Sequence, residues 1–517
     1  MPKGAFAGER DLKIMAEESN SVVPLLSQVP EAQRERIIRG MRSTVWLAGL
    51  SVPFSYGTTI LLARTSPEAV GTYGLLSAYV AFVSCILYLG GDAVAMKFLP
   101  EIEKSKRLPF LTTYFIITCV ALIPYVIVGT IWPDKLHYLF GKDASPEMQL
   151  VILYLAPLTI LFSLLVAALK GLLEIAPAQG LSRLQSVGYF FAYLPFFLFA
   201  RHYVAGHYTI VVWGIYFALL FLVSAMGTRI LFANLKGPDH SESFHAFLPT
   251  GFWKYTFSLQ ELSVLNFFSR RLDVLLILNF GDLGLLGKYV AIITLADSIR
   301  TVNRYIIDTL LPSLTNVLAE KNYGGATDVF VMHMRVLLLV NAAGTFAFMF
   351  LARSLLRVYG AQYLPLVNLV IVLAMLLGVS GPCRIGGILL SAVGEQQRAV
   401  WLSFGQVMLY VALFAVLWPK WGLAGGIWAY GLSMFFQGPA MMIVARRNVP
   451  FQLKFLRDYL MFCAVSLISA VILYFFGPFR LAYGVLGWAA AMAVFFLAAG
   501  YDYTECRKLL KCFLPVS

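Results

Sequence analysis

The sequence predicts an all-α, polytopic membrane protein with about 14 transmembrane helices: two parallel six-helix repeats followed by two C-terminal helices. Three observations predict it. The 517 residues are 59% apolar and only 13% charged, too little polar surface for a soluble chain of this size. Apolar runs of about 20 residues, each long enough to cross a bilayer, recur along the whole length. The two halves echo one another in order.

The spans are read at 44–63, 74–96, 109–132, 149–169, 184–200, 208–231, 255–280, 286–314, 335–352, 364–391, 399–418, 422–445, 459–477 and 483–502. Lys and Arg orient them. With the N-terminus inside, inner segments hold 26 of the 40 basic residues when Arg229 and Arg335 at the inner edges of their spans are counted with them, outer loops 8 and helix interiors 6. That bias is the positive-inside pattern and puts both termini in the cytoplasm. It also accounts for the net charge of +13 without nucleic acid as a partner. The first 40 residues are polar and apolar runs continue to the end, which is not the pattern of a secretory signal. The six cysteines show neither metal-ligand nor disulfide spacing, and no cofactor is expected.

The expected organisation is a cytoplasmic segment 1–43, a first six-helix lobe 44–231, a second lobe 255–445, helices 13 and 14 at 459–502, and a cytoplasmic tail 503–517. The segment Pro30–Ser43 suits an amphipathic lead-in helix on anionic headgroups, or a plain positive-inside anchor. The longest outer loop, 133–148, has 16 residues, so no extramembrane domain fits there.

The repeat rests on five matches. Gly71-Thr72-Tyr73 is echoed by Gly287-Lys288-Tyr289 at an offset of 216. Phe140-Gly141 with Pro146 is echoed by Tyr359-Gly360 with Pro365, Lys170 in "KGLLE" by Gly386 in "GGILL", Trp213 by Trp428, and Leu99-Pro100 by Leu311-Pro312. Six helices per repeat is an even number, so both copies enter from the same side. The repeats are then parallel, related by an axis along the membrane normal, an arrangement transporters use. A duplicated scaffold that moves nothing gives the same pattern.

Charges inside spans point to chemistry, because each costs roughly 2.5–3.5 kcal/mol at the bilayer centre. Asp297, Arg300, Arg304 and Asp308 follow one another at spacings of 3, 4 and 4, one stripe of a helix. Arg270, Arg271 and Asp273 lie in the preceding span. At 1.5 Å per residue, Arg300 lies about 21 Å from the outer end, Asp297 about 16 Å and Arg271 about 14 Å. Two readings stay open. In one, Arg270–Asp273, Arg271–Asp297 and Arg304–Asp308 are structural ion pairs. In the other, Arg271, Arg300, Arg270 and Arg304 line a cleft and grip an anionic headgroup, since guanidinium stays charged and binds phosphate through two parallel hydrogen bonds. Asp297, Asp308 or Asp273 would then be available to couple transport to an ion. The first span carries no charge and offers Ser51, Ser55, Tyr56, Thr58 and Thr59 as a hydroxyl wall. Hydroxyls facing cations suit a sugar attached to an anion.

Several stretches resemble bacterial polysaccharide (O-antigen) flippases of the Wzx type, within the multidrug/oligosaccharidyl-lipid/polysaccharide (MOP) exporter superfamily that also holds the MATE exporters. They are "ILLARTSPEAVGTYGLLSAYVAF" (Ile60–Phe82), "RRLDVLLILNFGDLGLLGKYV" (Arg270–Val290), "LLPSLTNVLAE" (Leu310–Glu320) and "LLRVYGAQYLPLVNLVIVL" (Leu355–Leu373). The resemblance implies two six-helix bundles in a V. It also implies translocation of an undecaprenyl-diphosphate-linked oligosaccharide across the bacterial cytoplasmic membrane by alternating access. Its implied partners are that lipid-linked oligosaccharide, membrane lipids, and polysaccharide polymerase or export machinery. It implies no catalysis, and it places cationic residues of the central cavity in the helices of Arg270, Arg271, Arg300 and Arg304. The alternatives are a cation-coupled multidrug exporter of the same superfamily, a membrane-embedded glycan polymerase or ligase, and a passive subunit of an export complex.

Overall fold

The computed structural model describes residues 53–54, 56–132, 146–172, 174–199, 201–235, 246–296, 303, 310, 314, 323–393, 395–449 and 455–500. They are nearly all helical. Ten helices are long and apolar enough to cross a membrane. This is a multi-pass membrane protein.

In chain order, α1 covers 56–65, with residues 53 and 54 also helical. It is followed by α2 (Pro67–Leu87), α3 (Asp92–Glu101), α4 (Lys104–Ile131), α5 (Pro146–Gly171), α6 (Ile175–Phe199), α7 (Arg201–Leu235) and α8 (Phe252–Phe280). Then come α9 (Leu283–Ala296) and α10 (Tyr323–Phe350), α11 (Ala352–Tyr359), a 3₁₀ turn (Ala361–Leu366), α12 (Val367–Cys383) and α13 (Ile385–Ala392). The chain closes with α14 (Gln396–Trp421), α15 (Leu423–Asn448), α16 (Leu456–Phe476) and α17 (Leu481–Ala499).

Several expected boundaries change: helices begin at Ile175, Arg201 and Tyr323 rather than 184, 208 and 335. The second span starts at Pro67 rather than 74, because Ser66 caps it and Pro67 occupies the first turn, where a missing N–H costs nothing. It also stops at Leu87 rather than running to 96. Gly90 and Gly91 take φ of 73° and 64°, a left-handed turn that ends the helix before α3 begins. The expected helix 364–391 is two helices, α12 and α13, separated at Arg384. The lead-in Pro30–Ser43, the match at Phe140-Gly141 and the tail 503–517 lie outside the described residues.

Helices α5, α6 and α7 pack on one another and on α2, while α12, α14 and α15 pack together, with α10 against α12. The last pair, α16 and α17, lies against α10. The helix α8 touches both groups. Its first turns enter an aromatic cluster with Phe98, Phe110 and Tyr114 around Phe252. Its last turn meets Phe414 and Trp418 of α14 through Phe280. Between these ends, Gln260 reaches the last turn of α2: its side-chain N–H₂ donates to the carbonyls of Cys85 and Ile86, and its oxygen accepts from Gly90 N–H at 3.1 Å. Those carbonyls are among the groups a helix end leaves unpaired.

Candidate functional site

The described charges of the predicted anion site sit on α8. Arg271 lies nine residues before the end of that helix, about 14 Å along its axis. Its side chain is exposed, and among the described residues it makes no hydrogen bond or salt bridge. It is close enough to the hydroxyl of Tyr73 on α2 to interact with it electrostatically. Tyr73 opens a stack of rings. It lies 5.6 Å from Trp213 with planes 22° apart and 6.5 Å from Tyr189 with planes 17° apart. Tyr216 meets Tyr189 edge-on, and Gln185 donates to the Tyr216 hydroxyl at 2.6 Å. Arg271 thus stands beside Tyr73, the half-buried edge of an aromatic cluster of α2, α6 and α7 whose inner rings Tyr189 and Trp213 are buried.

Asp273, two residues further on, points elsewhere. It is 3% exposed and accepts a 2.5 Å hydrogen bond from the hydroxyl of Tyr289 on α9. Tyr410 and Tyr430 of α14 and α15 lie beside it. A buried carboxyl therefore sits among phenols, and this leaves open the Arg270 partner that the sequence offered. The side chain of Arg270, and the residues Asp297, Arg300, Arg304 and Asp308, lie outside the described residues. The stripe of the eighth span and the pairing of Arg271 with Asp297 are accordingly left as they stood.

The expected hydroxyl wall on the first span is partly used up. Thr58 and Thr59 are buried, at 4% and 5% exposure. Thr58 bonds back to the carbonyl of Phe54 at 3.1 Å, the habit of a helical threonine with nothing better to bind. Arg384, one of the six interior cations, donates to Gln437 at 3.3 Å and lies 3.7 Å from the sulfur of Met434.

A second polar set, missed in the sequence, links α8 to α14 and α15. Ser269 donates to Gln406 at 2.7 Å and Gln406 donates to Ser433 at 3.3 Å, all three buried. Lone Gln and Ser residues inside apolar runs were the only signal available. Among the described residues, no group of His, Cys, Asp and Glu is placed to hold a metal ion.

Outside the spans, Asp92 begins α3 with its carboxyl pushed above the usual carboxylate range. Burial is the main cause, and the Lys170 ammonium opposes it.

No family model matches the chain, and neither does any curated protein. Solved structures do. "Lipid II flippase MurJ, inward closed conformation" superposes with a TM-score of 0.65 at 13% identity, over 93% of this chain and 100% of that one. A MOP superfamily transporter from Pyrococcus furiosus gives 0.59 at 14% identity, over 80% and 95%. An inward-facing multidrug resistance MATE family transporter gives 0.58 at 14%, over 77% and 94%. At such identities the likeness is one of fold. The chain has the fold of the MOP and MATE transporters, and those neighbours are transporters and flippases rather than enzymes.

Proposed function

We propose that this protein flips a lipid-linked oligosaccharide, carried on undecaprenyl diphosphate, across the bacterial cytoplasmic membrane by alternating access. Both termini face the cytoplasm in this reading, and the two six-helix lobes 44–231 and 255–445 rock about the cleft between them. Arg271, with Arg300, Arg270 and Arg304, binds the anionic headgroup and offsets its desolvation. Asp297, Asp308 or Asp273 serves ion coupling. The observation that carries the reading is Arg271: an exposed guanidinium on α8, a helix the sequence reads as a span, beside the hydroxyl of Tyr73. Aromatic faces take sugars, and guanidinium takes phosphate. The likeness to a lipid II flippase over 93% of the chain supports the same substrate class. Polysaccharide polymerase or export machinery would act on the product.

The likeness to MATE transporters favours one second reading, a cation-coupled multidrug exporter. An organic cation would want a carboxylate on the first span, and none is present. A strain lacking the protein separates the two. The flippase reading expects loss of surface glycan with unchanged drug tolerance, restored by the wild-type chain and not by Arg271→Ala at equal protein level. Drug hypersensitivity with normal glycan would favour the second reading and overturn the first.

A further inference from the structure

Helices α8 and α14 meet along their later turns and part towards their first ones. Near the end of α8, Phe280 closes on Phe414 and Trp418. Further back, Ser269 donates to Gln406 at 2.7 Å. Before that bond an open groove of about 640 Å³ separates the two helices, a volume in the range of ligand sites, roughly 300–1,000 Å³. Its α8 wall carries Glu261, Val264, Leu265 and Phe268, spaced as one face of a helix. Its α14 wall carries Trp401 and Phe404, 66% and 46% exposed.

Two polar side chains line this apolar groove, and only one of them is engaged by protein. Gln260 holds the end of α2 through Cys85, Ile86 and Gly90. Glu261 is exposed and, among the described residues, makes no hydrogen bond or salt bridge. A bare carboxylate thus stands at the mouth of an aromatic and aliphatic slot.

The neighbours of Glu261 give its depth. Through Gln260 it stands level with the end of α2. One to two turns nearer the start of α8, exposed Lys97 of α3 lies 4.1 Å from the centre of the Tyr255 ring, so the water side begins there. On the facing wall, Trp401 is the residue type that collects at membrane interfaces. Glu261 and Trp401 therefore stand at headgroup level. From Glu261 to Ser269 the groove runs about 12 Å along the helix, most of the depth of one hydrocarbon leaflet, about 15 Å. With the termini in the cytoplasm, as proposed above, that leaflet is the inner one.

We propose that this groove binds an aminophospholipid of the inner leaflet, of the phosphatidylethanolamine class. Its ammonium pairs with the Glu261 carboxylate, and one acyl chain lies along Val264, Leu265, Phe268 and Phe404 as far as the Ser269–Gln406 bond. A bilayer presents lipid to any groove that opens into it, and the charge selects among lipids. A carboxylate attracts an ammonium and repels a headgroup of net negative charge, and the Trp401 ring offers the face on which cations rest. The bound lipid completes the wall between α8 and α14 and neutralises a charge the protein leaves bare. The site is separate from that of Arg271, which has the opposite charge and lies ten residues on, about 15 Å along the helix.

The test uses the full-length chain in vesicles of equal parts phosphatidylethanolamine and phosphatidylglycerol. A trace of either lipid carries a photoactivatable diazirine in one acyl chain, and labelled residues are mapped by peptide mass spectrometry. In the wild-type chain the phosphatidylethanolamine probe should label residues 264–268 and 404 roughly fivefold more than the phosphatidylglycerol probe, since attraction of one headgroup and repulsion of the other are each on the scale of an exposed ion pair. Glu261→Gln should bring the two probes level at these positions, and Glu261→Lys should invert their order. Glu68→Gln, an exposed carboxylate on α2, should leave the ratio unchanged. Val264→Trp, which fills the groove and keeps the carboxylate, should lower labelling at Phe404 by either probe. Equal labelling of the wild-type groove by the two probes, or an unchanged ratio in Glu261→Gln, would overturn the proposal. Groove residues labelled by neither probe would overturn it too, since protein would then cover them. Labelling is read without transport. A chain that moves no glycan therefore sinks the functional reading alone, and a groove indifferent to headgroup charge sinks this inference alone.

Discussion

Gln260 makes the clearest energetic prediction, because one side chain serves three backbone groups of another helix. It lies eight residues into α8, about 12 Å along the axis, and is half-buried. It supplies donors to the carbonyls of Cys85 and Ile86 and an acceptor to Gly90 N–H, where the glycine turn leaves α2 without a continuing helix. At a net 0.5–1.5 kcal/mol per bond, Gln260→Ala should lose roughly 2–4 kcal/mol. Gln260→Glu should be worse at neutral pH. It keeps an acceptor for Gly90 but sets a charge against two carbonyl oxygens, and protonation at acid pH should recover part of the deficit by restoring one donor. The assay is thermal unfolding in mild detergent, read by loss of the monodisperse peak. The expected fall for Gln260→Ala is roughly 3–8 °C, taking the smaller shift per kcal/mol of a long chain. A Gln260→Ala midpoint within about a degree of wild type, or Gln260→Glu more stable than Gln260→Ala at neutral pH, would refute the reasoning.

Three other perturbations follow from the same geometry. Tyr289→Phe removes the donor to buried Asp273 and should cost about 1.5–3 kcal/mol if that carboxyl is ionised; in a double-mutant cycle with Asp273→Asn the two losses should fall short of additive, and strict additivity of the melting shifts would exclude the pairing. Asn303 and Asn341 exchange two side-chain bonds of 2.9 and 2.8 Å while both are buried, so Asn341→Ala, which strands the Asn303 amide, should lower stability by about 1–3 kcal/mol in the same assay. For Asp92 the folded-state carboxyl lies above its ordinary 3.8, so the folded state holds the proton more tightly. Its ionisation cost is absent below 3.8 and grows as pH rises through the raised value. Asp92→Asn should therefore gain stability relative to wild type as pH is raised across that window, measured as the pH dependence of the melting midpoint, and a constant difference would contradict it.

Among the described residues, helix is found within each predicted span, because a bilayer forces long apolar runs and leaves the backbone no alternative to helix. Ends were another matter. The second span was extended through Gly90 and Gly91 because apolar residues continue past them, and periodicity does not register two positive φ angles. Its start was placed late because the cap at Ser66 and the proline after it are local signals that hydropathy ignores. Gly71 and Gly287 were legible as a repeat, yet an offset says where two residues are equivalent, not that they touch. Asp273 was offered the nearest cation on its own helix, Arg270, whose side chain lies outside the described residues; it also accepts from a phenol sixteen residues away on α9, and a neutral donor of that kind carries no charge pattern in a sequence. Gln260 drew no attention, since a single amide in an apolar run carries no pattern. Arg271 was picked out for the cost of a guanidinium in lipid, and the structure leaves it exposed beside Tyr73.

The most direct measurement of the substrate claim reconstitutes the purified chain in lipid vesicles with a fluorescent polyprenyl-diphosphate oligosaccharide and follows its protection from a quencher added outside. The account predicts transfer by the wild-type chain, near-background transfer by Arg271→Ala, and partial transfer by Arg271→Lys, which keeps the charge and loses the two-pronged grip. Transfer by Arg271→Ala at the wild-type rate would contradict it.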